Sequence, residues 1–341
     1  MKIILDVFGG DNAPLAILDG AARAVDEYGA RLILTGDEGK IHSCAEENHI
    51  SLANMEIAHA DTVIGMEEPP SLMLNEKKNC SMAVGLNLLR DGGGDAFISA
   101  GSTGALVVGA TRFVRRMKGV RRAPIASLLP TSDALYLLID TGANMDCRPE
   151  FLAQFGLMGS IYMKNVMGIE NPRVGLLNVG TEETKGGELQ LAAYELLKAA
   201  PINFVGNVEP REAPRGACDV LVADGFSGNI VVKLTEGVGL VMFGMVKNIL
   251  TENLLSKFAA MLLMPGLKTL KKKMDYSEYG GAPLLGFRKP VFKSHGSSNA
   301  NAIKHVVRQA MMYVQSGAQR EMEAALTGFG ANAQEEREED Q

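Results

Sequence analysis

A short β-rich apolar run, a glycine-containing turn and a helical run recur five times within the first 250 residues. Ile3-Ile4-Leu5-Asp6-Val7 leads into Gly9-Gly10-Asp11 and a helix with Pro14 near its start, a favoured place for proline. Asp95-Ala96-Phe97-Ile98-Ser99 leads into Gly101-Ser102-Thr103-Gly104 and a helix through about Arg116. Leu135 to Ile139 leads into Asp140-Thr141-Gly142-Ala143-Asn144, and Pro149 opens the next helix. Val174 to Val179 leads into Gly180-Thr181-Glu182-Glu183-Thr184-Lys185-Gly186-Gly187 and a helix to Ala200. Val220 to Ala223 leads into Asp224-Gly225-Phe226-Ser227-Gly228-Asn229 and a long helix. Such alternation predicts βαβ units and a parallel sheet. Crossovers of one hand put the loops after the strands on one sheet edge, where open α/β sheets bind ligands. Five polar, glycine-rich loops are therefore expected to share a site.

The rhythm breaks between about Leu250 and Gly286. Leu250, Leu254, Phe258, Met261 and Leu262 make an apolar helical stripe, and Pro265-Gly266 interrupts it. Leu267, Leu270 and Met274 then alternate with Lys268, Lys271, Lys272 and Lys273. The pattern predicts two short amphipathic helices joined at a break. It suits a membrane surface, apolar face down, as well as a dimer interface. Gly280-Gly281-Ala282-Pro283 follows as a turn, and a last helix runs from about Ser298 to Gly317. At about 150 residues per domain, 341 residues imply two domains or one large α/β unit. We expect one catalytic domain over 1–330, with 250–286 as a helical excursion and 331–341 as an acidic, disordered tail.

Composition narrows the function. The 38 glycines exceed average usage by about fourteen, and no collagen-like period accompanies them. The chain has no Trp, only 6% aromatic residues and a net charge of −6, so a nucleic-acid surface is not expected. Cys44, Cys80, Cys147 and Cys218 are scattered without metal spacing and suit reduced thiols in the cytoplasm. Asp6 follows the first five residues without a signal-peptide layout. The longest apolar stretches, Gly237 to Val246 and Phe258 to Leu267, are ten residues each, too short for a bilayer needing about 20. The expectation is a soluble cytoplasmic protein.

No dinucleotide fingerprint, P-loop, zinc-binding His pair or serine nucleophile elbow is present. Neither metal nor cofactor is expected. The turns do suit an anion, because glycine-rich loops at helix N-termini present unpaired N–H groups and the positive end of a helix dipole. Gly101-Ser102-Thr103-Gly104 and Gly225-Phe226-Ser227-Gly228-Asn229 have this form. Lys185 is either a mobile charge beside such a cradle or a solvated loop lysine. Asn144 and Asn229 either donate to a developing oxyanion or cap their helices. Arg112, Arg115, Arg116, Lys118, Arg121 and Arg122 fall within eleven positions without an acidic residue. They form a solvated helix end or a landing place for an acidic or phosphorylated partner.

Seven strings in order resemble the PlsX-type phosphate acyltransferases of bacterial phospholipid synthesis. They are Asp6 to Pro14, Ser99 to Ala105, Asp140 to Asn144, Gly180 to Glu183, Asp224 to Asn229, Gly280 to Gly286 and His295 to Ser298. Phe8 stands where that family has Met, and Ser102 where it has Asn, leaving the backbone cradle there intact. The resemblance spans nearly the whole chain. It implies a Rossmann-like α/β sandwich with a largely parallel sheet, of isopropylmalate-dehydrogenase type. It also implies a homodimer that reversibly transfers a long acyl chain from acyl carrier protein to inorganic phosphate. The acyl phosphate would pass to a membrane glycerol-3-phosphate acyltransferase.

On that expectation phosphate attacks the thioester directly, Lys185 holds phosphate and Asn229 binds the carbonyl oxygen. Gly10, Asp11, Gly101, Ser102, Thr103, Gly104, Asp140, Asn144, Thr181, Asp224, Gly225, Ser227 and Gly228 form or organise the binding loops. The arginine patch would receive the acidic carrier. Two other enzymes and an adaptor remain as alternatives: a coenzyme A-dependent acetyl- or butyryl-phosphate-forming transferase, a nicotinamide oxidoreductase, and a non-catalytic membrane-surface protein.

Overall fold

The computed structural model describes residues 1–274 and 280–339. Its first half runs β1 (Ile3–Asp6), α1 (Leu15–Tyr28), β2 (Leu32–Gly36), α2 (Glu38–Glu47), β3 (Met55–His59), α3 (Leu72–Asn75) and α4 (Ser81–Arg90). Then come β4 (Ala96–Ser99), α5 (Thr103–Gly109), a π-helical turn at Ala110–Val114, β5 (Ala126–Pro130), β6 (Leu135–Ile139) and α6 (Pro149–Asn165). β7 (Arg173–Leu177), α7 (Glu188–Ala199), β8 (Asn203–Val208) and β9 (Val220–Val222) follow. The remainder is α8 (Gly225–Thr251), α9 (Leu254–Met274), β10 (Ala282–Leu284), β11 (Val291–Lys293), α10 (Ala300–Ser316) and α11 (Ala318–Glu339).

The expected strands all form, but they divide between two sheets rather than sharing one. The first has the order β10-β11-β4-β1-β2-β3 and the second β5-β6-β9-β7-β8. Pairing is parallel except where β10 meets β11 and β5 meets β6. In β1, Ile3 and Leu5 face one apolar cluster while Ile4 packs with Phe97 in another, so the sheet is covered on both sides. A bridge between Ile125 and Leu284 joins the sheets beside their shared cleft.

Three elements depart from the sequence pattern. α9 continues through Pro265, and the break falls instead near residue 252, between α8 and α9. A proline forfeits one backbone bond and crowds one turn, which a long helix can absorb. α8 is 27 residues, long and apolar enough to cross a membrane by length and composition, and none of its apolar window is buried. Its only charged residues are Lys233, Glu236 and Lys247, so the ten-residue apolar stretch understates it. Residues 331–339 continue α11 in the backbone, where the sequence pattern suggests a frayed tail. Ala, Gln, Glu and Arg in that stretch are good helix formers. The side chains of Lys268, Lys271, Lys272 and Lys273, and those of 331–341, lie outside the described residues.

Candidate active site

Four of the five glycine turns meet at a cleft of about 440 Å3 between the sheets, within the ~300–1,000 Å3 typical of small-molecule sites. Asp11 reaches it from the turn after β1, Thr103 from the start of α5, and Thr141 and Gly142 from the loop after β6. Asn229, Val232, Lys233 and Glu236 come from one face of α8, at helical spacing. Ile125, Leu128 and Leu129 of the β5 region supply an apolar wall. Lys293, His295, Gly296 and Ser298 arrive from β11 and the segment beyond it.

Asp140 explains why the β6 loop holds its shape. Its buried carboxylate accepts from the backbone N–H groups of Ile125 (2.9 Å), Gly142 (3.2 Å), Ala143 (3.1 Å) and Asn144 (2.7 Å). The Asn144 amide adds a donor at 2.8 Å and also reaches the Ala123 carbonyl at 3.1 Å. Burial pushes the Asp140 pKa up, and these donors oppose it. Asp140 and Asn144 are thus spent on one another and on the loop, rather than aimed at the cleft.

The start of α8 presses against the same loop. Asp224 caps the helix, accepting from the Ser227 N–H at 2.8 Å and the Ser227 hydroxyl at 2.9 Å. A side chain at Gly228 would collide with the Asp140 carbonyl oxygen, and one at Gly225 would come within 2.6 Å of that of Asn144. Glycine at these two places lets α8 approach closely enough to set Asn229 beside Gly142.

Across the cleft, Ser99 at the end of β4 donates to the buried Asp6 at 2.6 Å and accepts from the Gly101 N–H at 3.0 Å. Gly10 takes a positive φ of 98°, and the following N–H of Asp11 donates to the Gly296 carbonyl at 2.8 Å. Ser102 is buried at the start of α5 without a side-chain capping bond, while Gly104 is exposed and does not line the cleft. Lys293 lies beside this turn, because β11 pairs in parallel with β4 and sets Lys293 opposite Ser99. Its ammonium donates to the Ala100 carbonyl at 3.1 Å and to the Ser294 carbonyl. Burial lowers its pKa to about 8, against the opposing pull of Asp11 and Asp6. His295, which bonds Ser297 Oγ through Nδ1 at 2.7 Å, is also held below the usual imidazole range by desolvation.

Lys185 and Thr181 do not line this cleft. Their exposed loop follows β7, and the strand order puts β9 between β7 and the β6 edge. A separate cleft of about 350 Å3 lies there, lined by Gly186, Gly187, Asp224, Ser227 and Ile230. The first turns of α8 divide the two spaces, with Asn229 on one side and Ser227 on the other.

The basic residues gather elsewhere. Arg112, Arg115, Arg116 and Arg122 line an open groove of about 830 Å3 with Leu74, Val107 and Val108 at its base. Arg121 joins Arg116 and Arg122 in an adjoining groove of about 480 Å3 beside Asp146 and Phe151. Lys118 lines neither. Arg288 and Arg148 extend the patch, although the sequence separates them from it widely. Lys293, Lys233 and Glu236 are likewise cleft residues without a sequence signal of their own; the Gly280 to Gly286 and His295 to Ser298 strings on either side of Lys293 pointed there. Among the described residues, no group of three or more His, Cys, Asp or Glu gathers as a metal site.

An amide donor and an ammonium beside an apolar wall can polarise a carbonyl, hold an anion and accommodate a hydrocarbon chain. Comparison with known proteins agrees with that chemistry. Residues 1–321 match the family model described as fatty acid synthesis protein. Phosphate acyltransferase from Alkaliphilus oremlandii is 43% identical over 97% of this chain and 98% of its own. Phosphate acyltransferase from Moorella thermoacetica is 47% identical over 93% of both chains. In fold, the chain resembles a phosphotransacetylase from Streptococcus pyogenes, with a TM-score of 0.62, 17% identity, and 92% and 94% of the two chains covered. A 4-hydroxythreonine-4-phosphate dehydrogenase from Klebsiella pneumoniae shares the fold at a TM-score of 0.54, with 13% identity and 92% and 99% coverage.

Proposed function

The chain belongs to the PlsX-type phosphate acyltransferase family, and we propose that its cleft reversibly transfers a long-chain fatty acyl group from acyl carrier protein to inorganic phosphate. The acyl phosphate then serves phospholipid synthesis through a glycerol-3-phosphate acyltransferase at the membrane. The observation that carries this reading is that Asn229 and Thr103, at the starts of α8 and α5, line one cleft with Ile125, Leu128, Leu129 and Val232.

Phosphate is itself a nucleophile, so the enzyme needs to align it, stabilise charge and exclude water. One phosphate oxygen attacks the thioester carbon, and Asn229 donates to the carbonyl oxygen as it becomes negative. Backbone N–H groups of Ser102 and Thr103, at the start of α5, face the phosphate, while those of Gly101 and Asp11 are held by Ser99 and Gly296. The acyl chain lies along the β5 wall. Cys147 does not offer an acyl-enzyme route, since burial pushes its thiol pKa up to about 12.

The acidic carrier docks on the arginine grooves, where charge attracts it and the apolar base receives its hydrophobic contacts. A second copy of the chain covers α8, whose exposed Phe226, Ile230, Leu234, Val241, Met245 and Ile249 recur at spacings near those of a helix-packing seam. Leu254, Leu255, Phe258 and Leu262 of α9 rest on a membrane surface, so the cytoplasmic enzyme releases acyl phosphate close to the bilayer. Incubation of the protein with palmitoyl-carrier protein and labelled inorganic phosphate tests the activity. Labelled acyl phosphate and free carrier should form together. Turnover of acetyl- or butyryl-coenzyme A alone would instead make this a short-chain phosphotransacylase.

A further inference from the structure

Phosphate bound in the cleft needs a cation, and Lys185 is not there to provide it. Two lysines line the space. Lys233 is exposed on α8 and paired with Glu236 at 3.3 Å, so part of its charge is already answered. Lys293 differs in both respects. Its stem is packed at the end of β11, and its ammonium is tied to the Ala100 carbonyl at 3.1 Å and to the Ser294 carbonyl. An ammonium has three donors, so these two carbonyls leave one N–H beside the glycine turn that faces the cleft.

We propose that Lys293 is a catalytic residue of the acyl transfer, holding the attacking phosphate and then giving its proton to the departing carrier thiolate. This rests on the function proposed above. Hydrogen phosphate dianion forms the new O–C bond, and the tetrahedral oxyanion collapses as the C–S bond breaks. The sulfur leaves with the bonding pair and takes a proton from the Lys293 ammonium. The acyl phosphate retains the phosphate's original proton, which is now more acidic because an acyl group withdraws electrons. That proton returns to the neutral amine. The products are acyl phosphate dianion, carrier thiol and Lys293 in its starting state.

The surroundings suit a proton that must be both held and released. Asp11 and the buried Asp6, from β1 and its loop, favour the ammonium, while Lys233 of α8 disfavours it. Glu236 on α8 and His295 complete the ionisable groups lining this side of the cleft. Desolvation prevails and brings the amine to about 8, near working pH, where a general acid is most effective.

The test compares the intact wild-type chain with Lys293→Met and Lys293→Arg, using palmitoyl-carrier protein and inorganic phosphate between pH 6 and 10. Lys293→Met should lose about 100-fold or more in kcat/KM for phosphate, while its unfolding temperature and its KM for the carrier substrate stay near wild type. Lys293→Arg, with a group that does not titrate in this range, should regain phosphate affinity but not kcat. The wild-type kcat/KM should fall above about pH 8, and that fall should be absent from Lys293→Arg. Lys293→Met within about threefold of wild type, or an unchanged alkaline fall in Lys293→Arg, overturns the assignment; the arginine variant decides if the methionine variant does not fold. A wild-type chain that makes no acyl phosphate removes the functional reading and this role with it, whereas active wild type with active Lys293→Met removes Lys293 alone.

Discussion

Asn229 and Lys185 occupy opposite sides of the first turns of α8, and that separation makes unequal predictions for them. Asn229→Ala should lower kcat by about 100- to 1,000-fold, as loss of a single oxyanion donor does, with little change in stability. Lys185→Ala should stay within a few-fold of wild type, because its loop lines a different space. Steady-state kinetics on the two purified variants checks both. Asn229 was legible in the sequence because it ends a string that also contains the cap and the glycines that place it. Lys293 was not. A lysine closing a three-residue strand carries no local signal, and its environment comes from β4, nearly 200 positions earlier. Lys185 looked equivalent to the cradle residues because glycine loops resemble one another before strand order sets them at different places along the sheet edge.

The loop after β6 and the start of α8 behave as one unit, with Asp140 as its centre. Asp140→Ala removes the acceptor for four backbone N–H groups and should cost about 1–3 kcal/mol or more in unfolding free energy. Gly228→Ala should also destabilise, by driving α8 away from the Asp140 carbonyl, and should depress kcat through the displaced Asn229. Thermal unfolding beside kinetics separates the two effects. The basic groove makes a different prediction. Reversing charge at Arg115 and Arg116 should weaken carrier binding most at low salt, since screening already reduces that attraction at high salt. Equal affinity for wild type and variant at low ionic strength would remove this groove from the interface. The β-turn-α rhythm was readable because each unit is written in consecutive residues. The continuity of α9 through Pro265 and the inclusion of Arg148 and Arg288 in the patch depend on packing between distant segments.

At the scale of the molecule, two sheets replace the single shared edge, and the cleft exists because their loops face each other. The fold class could be read from alternation, but the division could not, since β10 is a three-residue strand and the bridge between the sheets, Ile125 with Leu284, joins distant positions. The exposed stripe of α8 and the tip of α9 make separable predictions. Leu234→Asp with Val241→Asp should convert a dimer to monomers by light scattering, whereas Leu254→Asp with Phe258→Asp should leave the dimer and abolish flotation with anionic vesicles. The central claim is that phosphate takes the acyl group directly inside the cleft. A single turnover with radiolabelled palmitoyl-carrier protein and excess inorganic phosphate, quenched at intervals, tests it most directly. The label should pass from carrier to acyl phosphate with none on the protein at any time, and a protein-bound acyl group that forms first and then decays into acyl phosphate would contradict it.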